Sequence, residues 1–200
     1  MRRRPFGPAA WIVDELDDAT AWAESARRAG LDGVVEIVPA EDSVVVRCAP
    51  SWSATVGGLL DAVDARPGEL AASTPVTIDV VYDGEDLAAV AEATGLTVEA
   101  VVDLHASGTY TVAFCGFSPG FAYLRGIDDR LRLPRRDRPR TIVPAGSVAI
   151  AAGYSAVYPS PSPGGWHLLG RTERVVWDVE RRPPALLVPG TRVSFRPAQT

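Results

Sequence analysis

The chain has 200 residues, of which 46% are hydrophobic and 22% are charged, and its formal net charge is −5. This composition excludes a disordered chain, and the negative charge disfavours general nucleic-acid binding, which relies on a positive surface. All twenty basic residues are arginine, so a lysine Schiff base and a Walker A lysine are both excluded. Seventeen prolines and eighteen glycines favour short elements joined by tight turns, which is typical of strand-rich folds.

The sequence predicts a cytoplasmic protein without a metal site of its own. Cys48 and Cys115 are the only cysteines, and they lie far apart without the spacing of metal ligands. His105 and His167 are the only histidines, and no HxH or HExxH spacing is present. Acidic residues begin at Asp14, before any apolar run long enough for a signal peptide, and no segment reaches the roughly 18 apolar residues of a membrane span. We therefore expect neither a membrane nor a nucleic-acid partner.

The first part of the chain predicts a small α+β unit. Residues 17–30 begin with Asp and Thr, continue through good helix formers and end in a glycine, which predicts a capped helix. Residues 34–49 are two β-branched runs around a Pro-Ala-Glu-Asp-Ser turn, which predicts a hairpin. Residues 53–68 predict a second helix, stopped by Pro67 and Gly68.

A domain boundary is predicted at residues 71–77, where small residues and a proline precede a new strand. We expect an N-terminal domain at 1–75 and a C-terminal domain at 76–200. Helical spacing of apolar residues predicts two short helices, at 85–95 and 97–107. From there on, short apolar runs broken by glycine and proline predict an antiparallel β-barrel or sandwich.

Three segments of the second domain combine glycine, proline and aromatic residues: "GFSPGFAYL" (116–124), "PRRDRPRTIVPAGSVAI" (134–150) and "YPSPSPGGW" (158–166). Their glycines could bring backbone amides close to an anion, and one or two of the seven arginines at 125–140 could clamp a carboxylate or phosphate. Each Pro-Gly alone is more often a β-turn. Only the density of such loops in one domain favours a binding site.

The two histidines leave alternatives open. His105 ends a predicted helix, so it is either a residue that meets the helix dipole or a general acid/base. His167 lies in a strand beside Trp166, where a structural role is favoured over catalysis.

Five segments, taken in order, resemble the family of the 5-oxoprolinase B subunit (PxpB), also described as allophanate hydrolase subunit 1 or the KipI family. They are "VYDGEDLAAVAEATGLTVEAVVDLHAS", "YTVAFCGFSPGFAYLRGI", "LPRRDRPRTIVPAGSVAI", "VYPSPSPGGWHLLGRT" and "PALLVPGTRVSF". The resemblance covers residues 76–197 strongly and the first 75 residues in overall layout only. It implies an α+β fold in which a small α+β N-terminal domain precedes a cyclophilin-like β-barrel C-terminal domain.

The resemblance also implies partners and an activity. A protein like the 5-oxoprolinase C subunit (allophanate hydrolase subunit 2 type) and a third 5-oxoprolinase subunit of the LamB/YcsF type would complete the complex. Such a complex opens 5-oxoproline to glutamate at the expense of ATP, which would act through the complex rather than through a nucleotide-binding loop of this chain. Two alternatives are a KipI-like inhibitor of a sensor histidine kinase and one half of an allophanate or urea carboxyltransferase-type complex.

Carried onto this sequence residue by residue, the resemblance implies that His105 is catalytic and moves a proton. Arg135 or Arg140 would hold the substrate carboxylate, and glycine-loop amides would polarise the amide oxygen. The full set of implied substrate-binding residues is Arg135, Arg140, Gly146, Ser147, Tyr154 and Arg171, and the implied turn residues are Pro119, Gly120, Gly164 and Gly165.

The chain departs from the family pattern at one loop. Where the family commonly reads "GxQTGIYP", this chain reads "GYSAVYP", so that Tyr154, Ser155 and Ala156 replace glutamine, threonine and glycine. The departure removes the side-chain amide of glutamine and adds a Cβ where the family has glycine. Both changes lie in an expected pocket loop, so they would alter which substrate is bound and whether the protein is active.

Overall fold

The computed structural model describes residues 1–63 and 74–198, and the chain divides into two compact units, Met1–Ala72 and Ser73–Thr200. Both units contain helices and strands, which confirms the α+β class at this level. The finer division into domains 1–75 and 76–200 stays a prediction. In the described part of the chain, no helix is long and apolar enough to cross a membrane.

The first unit is a four-stranded antiparallel sheet with helices. Its elements in chain order are β1 (Arg2–Pro5), β2 (Ala10–Asp14), α1 (Ala19–Ala29), β3 (Val34–Pro39), β4 (Val44–Cys48) and α2 (Ser53–Leu59). The strand order in the sheet is β1-β2-β4-β3. Fully buried Trp22 on α1 packs with apolar side chains of β2 and β4 and forms the core of this unit.

Local chemistry accounts for the predicted elements of this unit. The Asp18 side chain accepts a hydrogen bond from the Ala21 amide at 2.9 Å, and Gly30 ends α1 in the left-handed region at φ 58°. The predicted first helix and hairpin are therefore confirmed. The predicted second helix is shorter than expected, because α2 ends at Leu59, a 3-10 turn follows at Leu60–Ala62 and Val63 is extended. Its expected stop at Pro67 and Gly68 lies outside the described residues.

The second unit contains most of the strands. Its elements are β5 (Val76–Val80), α3 (Leu87–Thr94), α4 (Val98–Ser107), β6 (Tyr110–Cys115), β7 (Ala122–Arg125), β8 (Arg140–Val143), β9 (Ser147–Ala151), β10 (Tyr154–Val157), β11 (Ser162–Gly164), β12 (His167–Arg171) and β13 (Arg192–Pro197). Both predicted helices are present, and Thr97 caps α4 by accepting a hydrogen bond from the Ala100 amide.

Seven of these strands form one sheet in the order β12-β9-β10-β7-β6-β13-β5. All neighbouring pairs are antiparallel except β13 with β5. Val81, which follows β5, exchanges two backbone hydrogen bonds of 2.9 Å with Arg171 at the end of β12. Gly170 lies at this seam, where a Cβ would collide with the Val81 carbonyl oxygen. The sheet is therefore nearly closed and barrel-like, which decides between the predicted barrel and sandwich.

The core of the second unit consists of apolar side chains from this sheet and from helices α3 and α4. Ile78, Leu124, Ile150 and Leu169 are fully buried in it. Helix α4 contributes Val101 and His105, both fully buried, to the same region. Strands β11 and β8 form a separate two-stranded sheet. They belong to the glycine-rich and arginine-rich segments that were singled out from the sequence.

Candidate active site

Three of the segments singled out from the sequence meet at one small pocket in the second unit. Its volume is about 80 Å³. The lining residues come from the loop after β6 and from β7, from the segment before β8, and from the stretch between β10 and β12: Phe117, Phe121, Tyr123, Arg135, Tyr158, Pro163, Gly164, Gly165 and Trp166. Residues far apart in sequence thus form one concave surface, which is the usual form of a small-molecule site.

Aromatic rings form the walls of the pocket. Phe121, Tyr158 and Trp166 are buried, and Phe121 meets the other two edge to face at centroid distances of 5.2 and 5.6 Å. Phe117 is different, since it is 63% exposed and has a φ of 70°. A bulky residue seldom adopts positive φ, so the loop holds an exposed aromatic ring at the pocket under backbone strain.

Glycines allow the loops to approach this closely. A Cβ at Gly164 would collide with the Tyr158 hydroxyl, and a Cβ at Gly120 would collide with the Trp177 side chain. Gly120 also has a φ of 80° and follows Pro119 in the turn closed by the Phe121 amide and the Ser118 carbonyl at 3.0 Å. Of the four expected turn residues, Gly164 and Gly165 line the pocket, while Pro119 and Gly120 lie in the turn between its lining residues Phe117 and Phe121.

Gly146 and Ser147 lie behind the pocket and hold the backbone of Tyr158. The Gly146 amide donates to the Tyr158 carbonyl at 2.8 Å, and the Tyr158 amide donates to the Ser147 carbonyl at 2.9 Å. Tyr154 packs edge to face against Tyr123, a lining residue, at a centroid distance of 5.7 Å. These three implied substrate-binding residues thus support the pocket, but they are not among its lining residues.

Arg135 is the cationic group of the pocket. Its side chain is exposed, and no carboxylate of the described residues lies within ion-pair distance of it. Burial raises the pKa of the Tyr158 hydroxyl above its ordinary value, while the positive charges of Arg135 and Arg140 act in the opposite direction. A guanidinium without a partner beside buried rings could bind an anionic ligand.

The other two arginines implied by the resemblance are engaged elsewhere. Arg140 donates to Asp86 at 2.9 Å and to Glu85 at 3.1 Å. Arg171 donates to Asp83 at 2.9 Å. Neither arginine lines the pocket that contains Arg135. Sequence reasoning assigned no role to Asp86, and its only sequence mark is its place in the acidic run before α3.

His105 lies in the core, outside the pocket lining. It is 0% exposed, its Nδ1 is 2.7 Å from the Tyr82 hydroxyl, and its Nε2 is 2.8 Å from the Ser155 hydroxyl. The ring stacks on Phe195 at a centroid distance of 4.5 Å. Both nitrogens are therefore occupied by protein partners, and the proton-transfer role implied by the resemblance stays a prediction.

The sequence departure at 154–156 places a serine hydroxyl within hydrogen-bond distance of His105. Ser155 is 0% exposed and directs its hydroxyl inward to His105. Ala156 is also buried, in the cluster that contains Phe121 and Trp166.

His167 is the other histidine. Its Nε2 donates a hydrogen bond to the Pro134 carbonyl oxygen at 2.9 Å, in agreement with the structural role favoured from the sequence.

In the described residues, no group of three or more His, Cys, Asp or Glu side chains could hold a metal ion. The pocket offers the guanidinium of Arg135, two phenols, the indole of Trp166 and the backbone of two glycines. These groups can bind and orient a small anion and polarise a carbonyl oxygen.

A sequence profile of the carboxyltransferase domain, subdomain C and D, matches residues 2–187. The chain belongs to this carboxyltransferase family. It is 40% identical over 186 residues to the 5-oxoprolinase B subunit of Escherichia coli O157:H7, an alignment that covers 88% of this chain and 84% of that protein. It is 43% identical over 123 residues to the 5-oxoprolinase B subunit of Haemophilus influenzae, covering 60% of this chain and 58% of that protein. The resemblance to the family of the 5-oxoprolinase B subunit is thereby confirmed.

Solved structures share the fold of this carboxyltransferase-family chain. The protein TTHA0988 matches with a TM-score of 0.82 and 36% identity, over 100% of this chain but only 40% of its own length. A conserved uncharacterized protein of Pyrococcus horikoshii, PH0987, matches with a TM-score of 0.60 and 33% identity, over 99% of this chain and 98% of its own. Urea carboxylase of Kluyveromyces lactis has a TM-score of 0.73 at 20% identity, over 98% of this chain and 22% of its own, which shows a common fold alone.

Replacing Ser155 tests the buried hydrogen bond to His105. Ser155→Ala leaves Nε2 of a fully buried ring without its partner, so we expect a loss of about 1–3 kcal/mol in the free energy of unfolding. Urea denaturation measures it. Ser118→Ala is the matched control, because the buried Ser118 hydroxyl has no hydrogen-bond partner in the structure and its removal should change stability little. Equal effects of the two substitutions would contradict this role of Ser155.

The burial of His105 predicts a pH dependence of stability. Burial lowers the pKa of His105 from 6.5 to about 3, so between these values the unfolded chain binds a proton that the folded chain does not. Stability therefore falls as the pH falls below 6.5, and from pH 7 to pH 5 this group should cost about 2 kcal/mol. Urea denaturation at both pH values should show a correspondingly smaller acid loss for His105→Gln. An identical loss in both proteins would rule out this contribution.

Proposed function

We propose that this chain is a subunit of an ATP-dependent 5-oxoprolinase, a cyclic amide hydrolase that opens 5-oxoproline to glutamate together with partner subunits. The observation that carries the proposal is the small aromatic pocket that presents the guanidinium of Arg135. The 40% identity to a protein named as the B subunit of 5-oxoprolinase supports it from the sequence side.

The pocket has the chemistry that 5-oxoproline requires. The substrate is a small, nearly flat lactam ring with one carboxylate. Its ring fits against Phe121 and Trp166, and its carboxylate pairs with Arg135, whose planar fork can donate two hydrogen bonds. Gly164 and Gly165 line the same pocket, and their backbone amides would polarise the lactam oxygen. Arg135 is preferred over Arg140 because Arg140 already pairs with two carboxylates.

The finer parts of the proposal follow from the family resemblance. The barrel-like unit is a cyclophilin-like domain, and the chain consists of domains at 1–75 and 76–200. A partner like the 5-oxoprolinase C subunit completes the site, and a third subunit of the LamB/YcsF type joins them, with ATP bound through the complex in the cytoplasm. His105 remains the proposed proton-transfer group, and its buried position means that a substrate reaches it only if the complex rearranges this region.

The test of the proposal is ATP-dependent release of glutamate from 5-oxoproline by the chain assembled with its partner subunits. Arg135→Gln removes the cation and shortens the side chain while keeping a polar end, so we expect KM for 5-oxoproline to rise by about 10- to 100-fold, as for a lost charged hydrogen bond. Arg138→Gln is the matched control, since Arg138 is an exposed arginine of the same segment that does not line the pocket.

An equal effect of the two substitutions would contradict the assignment of Arg135. If the assembled wild-type protein released no glutamate, the proposed function itself would be wrong. In that case, a dose-dependent loss of autophosphorylation in a sensor histidine kinase would favour the inhibitor alternative, and carboxyl transfer with a biotin carrier would favour the carboxyltransferase alternative.

A further inference from the structure

Arg135 lies between two neighbours whose backbones are hydrogen-bonded to residues at, or just before, the start of β12. On one side, the Pro134 carbonyl oxygen accepts a hydrogen bond from Nε2 of His167 at 2.9 Å. On the other side, the Arg136 amide donates to the Gly165 carbonyl at 2.8 Å. The backbone around Arg135 is therefore attached on both sides, while its own side chain projects into the pocket.

A single buried carboxylate holds the rest of this segment. The side chain of Asp86 is 5% exposed and forms ion pairs with both Arg136 and Arg140. Its Oδ2 also accepts a hydrogen bond from the Leu168 amide at 2.8 Å, on strand β12. Asp86, at the start of α3, is thus connected to strand β12 and to two arginines of the segment before β8.

The charge of Asp86 is required for this arrangement. Burial alone would raise the pKa of its carboxyl, but hydrogen bonds from Arg140 and from the Leu168 amide, together with the positive charges of Arg140 and Arg136, outweigh burial and lower the pKa below the ordinary value. Without the negative charge, the guanidiniums of Arg136 and Arg140, whose side chains are 32% and 18% exposed, would face each other across an uncharged side chain at the buried Asp86 position. Such a pair repels, and the segment would move to separate them.

We propose that Asp86 is a positioning residue that sets the direction of Arg135 by fixing Arg136 and Arg140. The inference rests on the proposed function for the identity of the ligand. Its consequence is a specificity: Asp86 contributes to the preference for a lactam that bears a carboxylate over the same ring without one. It does so without contact to the pocket, because Asp86 is not a lining residue.

The experiment compares 5-oxoproline with 2-pyrrolidinone, the same lactam without the carboxylate, in the assembled complex. For Asp86→Asn, we expect KM for 5-oxoproline to rise about tenfold, which corresponds to one misplaced charged hydrogen bond, with kcat changed much less. Activity toward 2-pyrrolidinone, where wild type has any, should be unaffected. Asp79→Asn is the control, because it removes an exposed aspartate paired with Arg196 on another part of the same unit.

A double mutant separates positioning from a general loss of structure. If Asp86 acts through Arg135, Asp86→Asn should add little to the KM change of Arg135→Gln. Additive effects, or equal losses toward both lactams, would overturn the inference. If Asp86→Asn does not fold, Arg136→Gln replaces it in the experiment. Arg136→Gln is the milder change, because Arg140 still pairs with Asp86, and it should raise KM for 5-oxoproline in the same direction.

A crystal structure of the Asp86→Asn or Arg136→Gln chain decides the inference independently of activity. We expect the Arg135 guanidinium to leave the pocket while the aromatic walls stay in place. An unchanged Arg135 would overturn the inference, even if the complex hydrolyses 5-oxoproline. A displaced Arg135 together with an inactive wild-type complex would support the inference and contradict the proposed function.

Discussion

The buried carboxylate of Asp86 is the interaction on which the architecture around the pocket depends. It pairs with two arginines of the segment before β8 and with a backbone amide of β12, so three parts of the barrel-like unit meet at one charge. A buried charge is costly unless it is paired and hydrogen-bonded. Asp86 has both kinds of partner, since it forms two ion pairs and accepts a backbone hydrogen bond. These contacts fix the arginine segment before β8 in a position where Arg135 has no ion pair and lies beside the aromatic rings of the pocket.

The glycine-rich loops are the second constraint, and they act through close approach rather than through flexibility. Gly164 lies against the Tyr158 hydroxyl, and Gly120 against Trp177, in contacts that leave no room for a Cβ. The rings of Phe121 and Trp166 then meet at fixed angles around a small volume. A rigid apolar wall and one charged group together favour a small ligand with one anionic end, because affinity comes from shape and specificity from the single ion pair.

Much of the fold could be predicted from local sequence. The Asp18 and Thr97 caps, the hairpin of β3 and β4, and most of the short strands after Tyr110 are local features that the structure contains. The apolar run at 173–179 was also predicted as a strand, but it forms only an isolated bridge at Trp177. Strands β1 and β2 were not predicted, and β1, whose sequence "RRRP" has no apolar alternation, forms an exposed edge. Closure of the barrel through Val81 and Arg171 depends on a pairing across some ninety residues of chain, which no local pattern encodes.

The site was predictable in its loops but not in its electrostatics. The glycine and aromatic motifs identified the segments that form the pocket, yet Arg135 and Arg140 look equivalent in sequence. They differ because Arg140 meets Asp86, more than fifty residues away, while Arg135 does not. Likewise, a histidine at the end of a helix can face solvent or the core, and only the packing of α4 against Phe195 places His105 in the core.

The most direct measurement is a crystal structure of the chain with the proposed partner of the 5-oxoprolinase C-subunit type and bound 5-oxoproline. We expect the substrate carboxylate to lie within about 3 Å of the Arg135 guanidinium, as in other charged hydrogen bonds, with the lactam ring against Phe121 and Trp166. A substrate bound at another surface of the chain, or on the partner alone, with the Arg135 pocket empty, would contradict it.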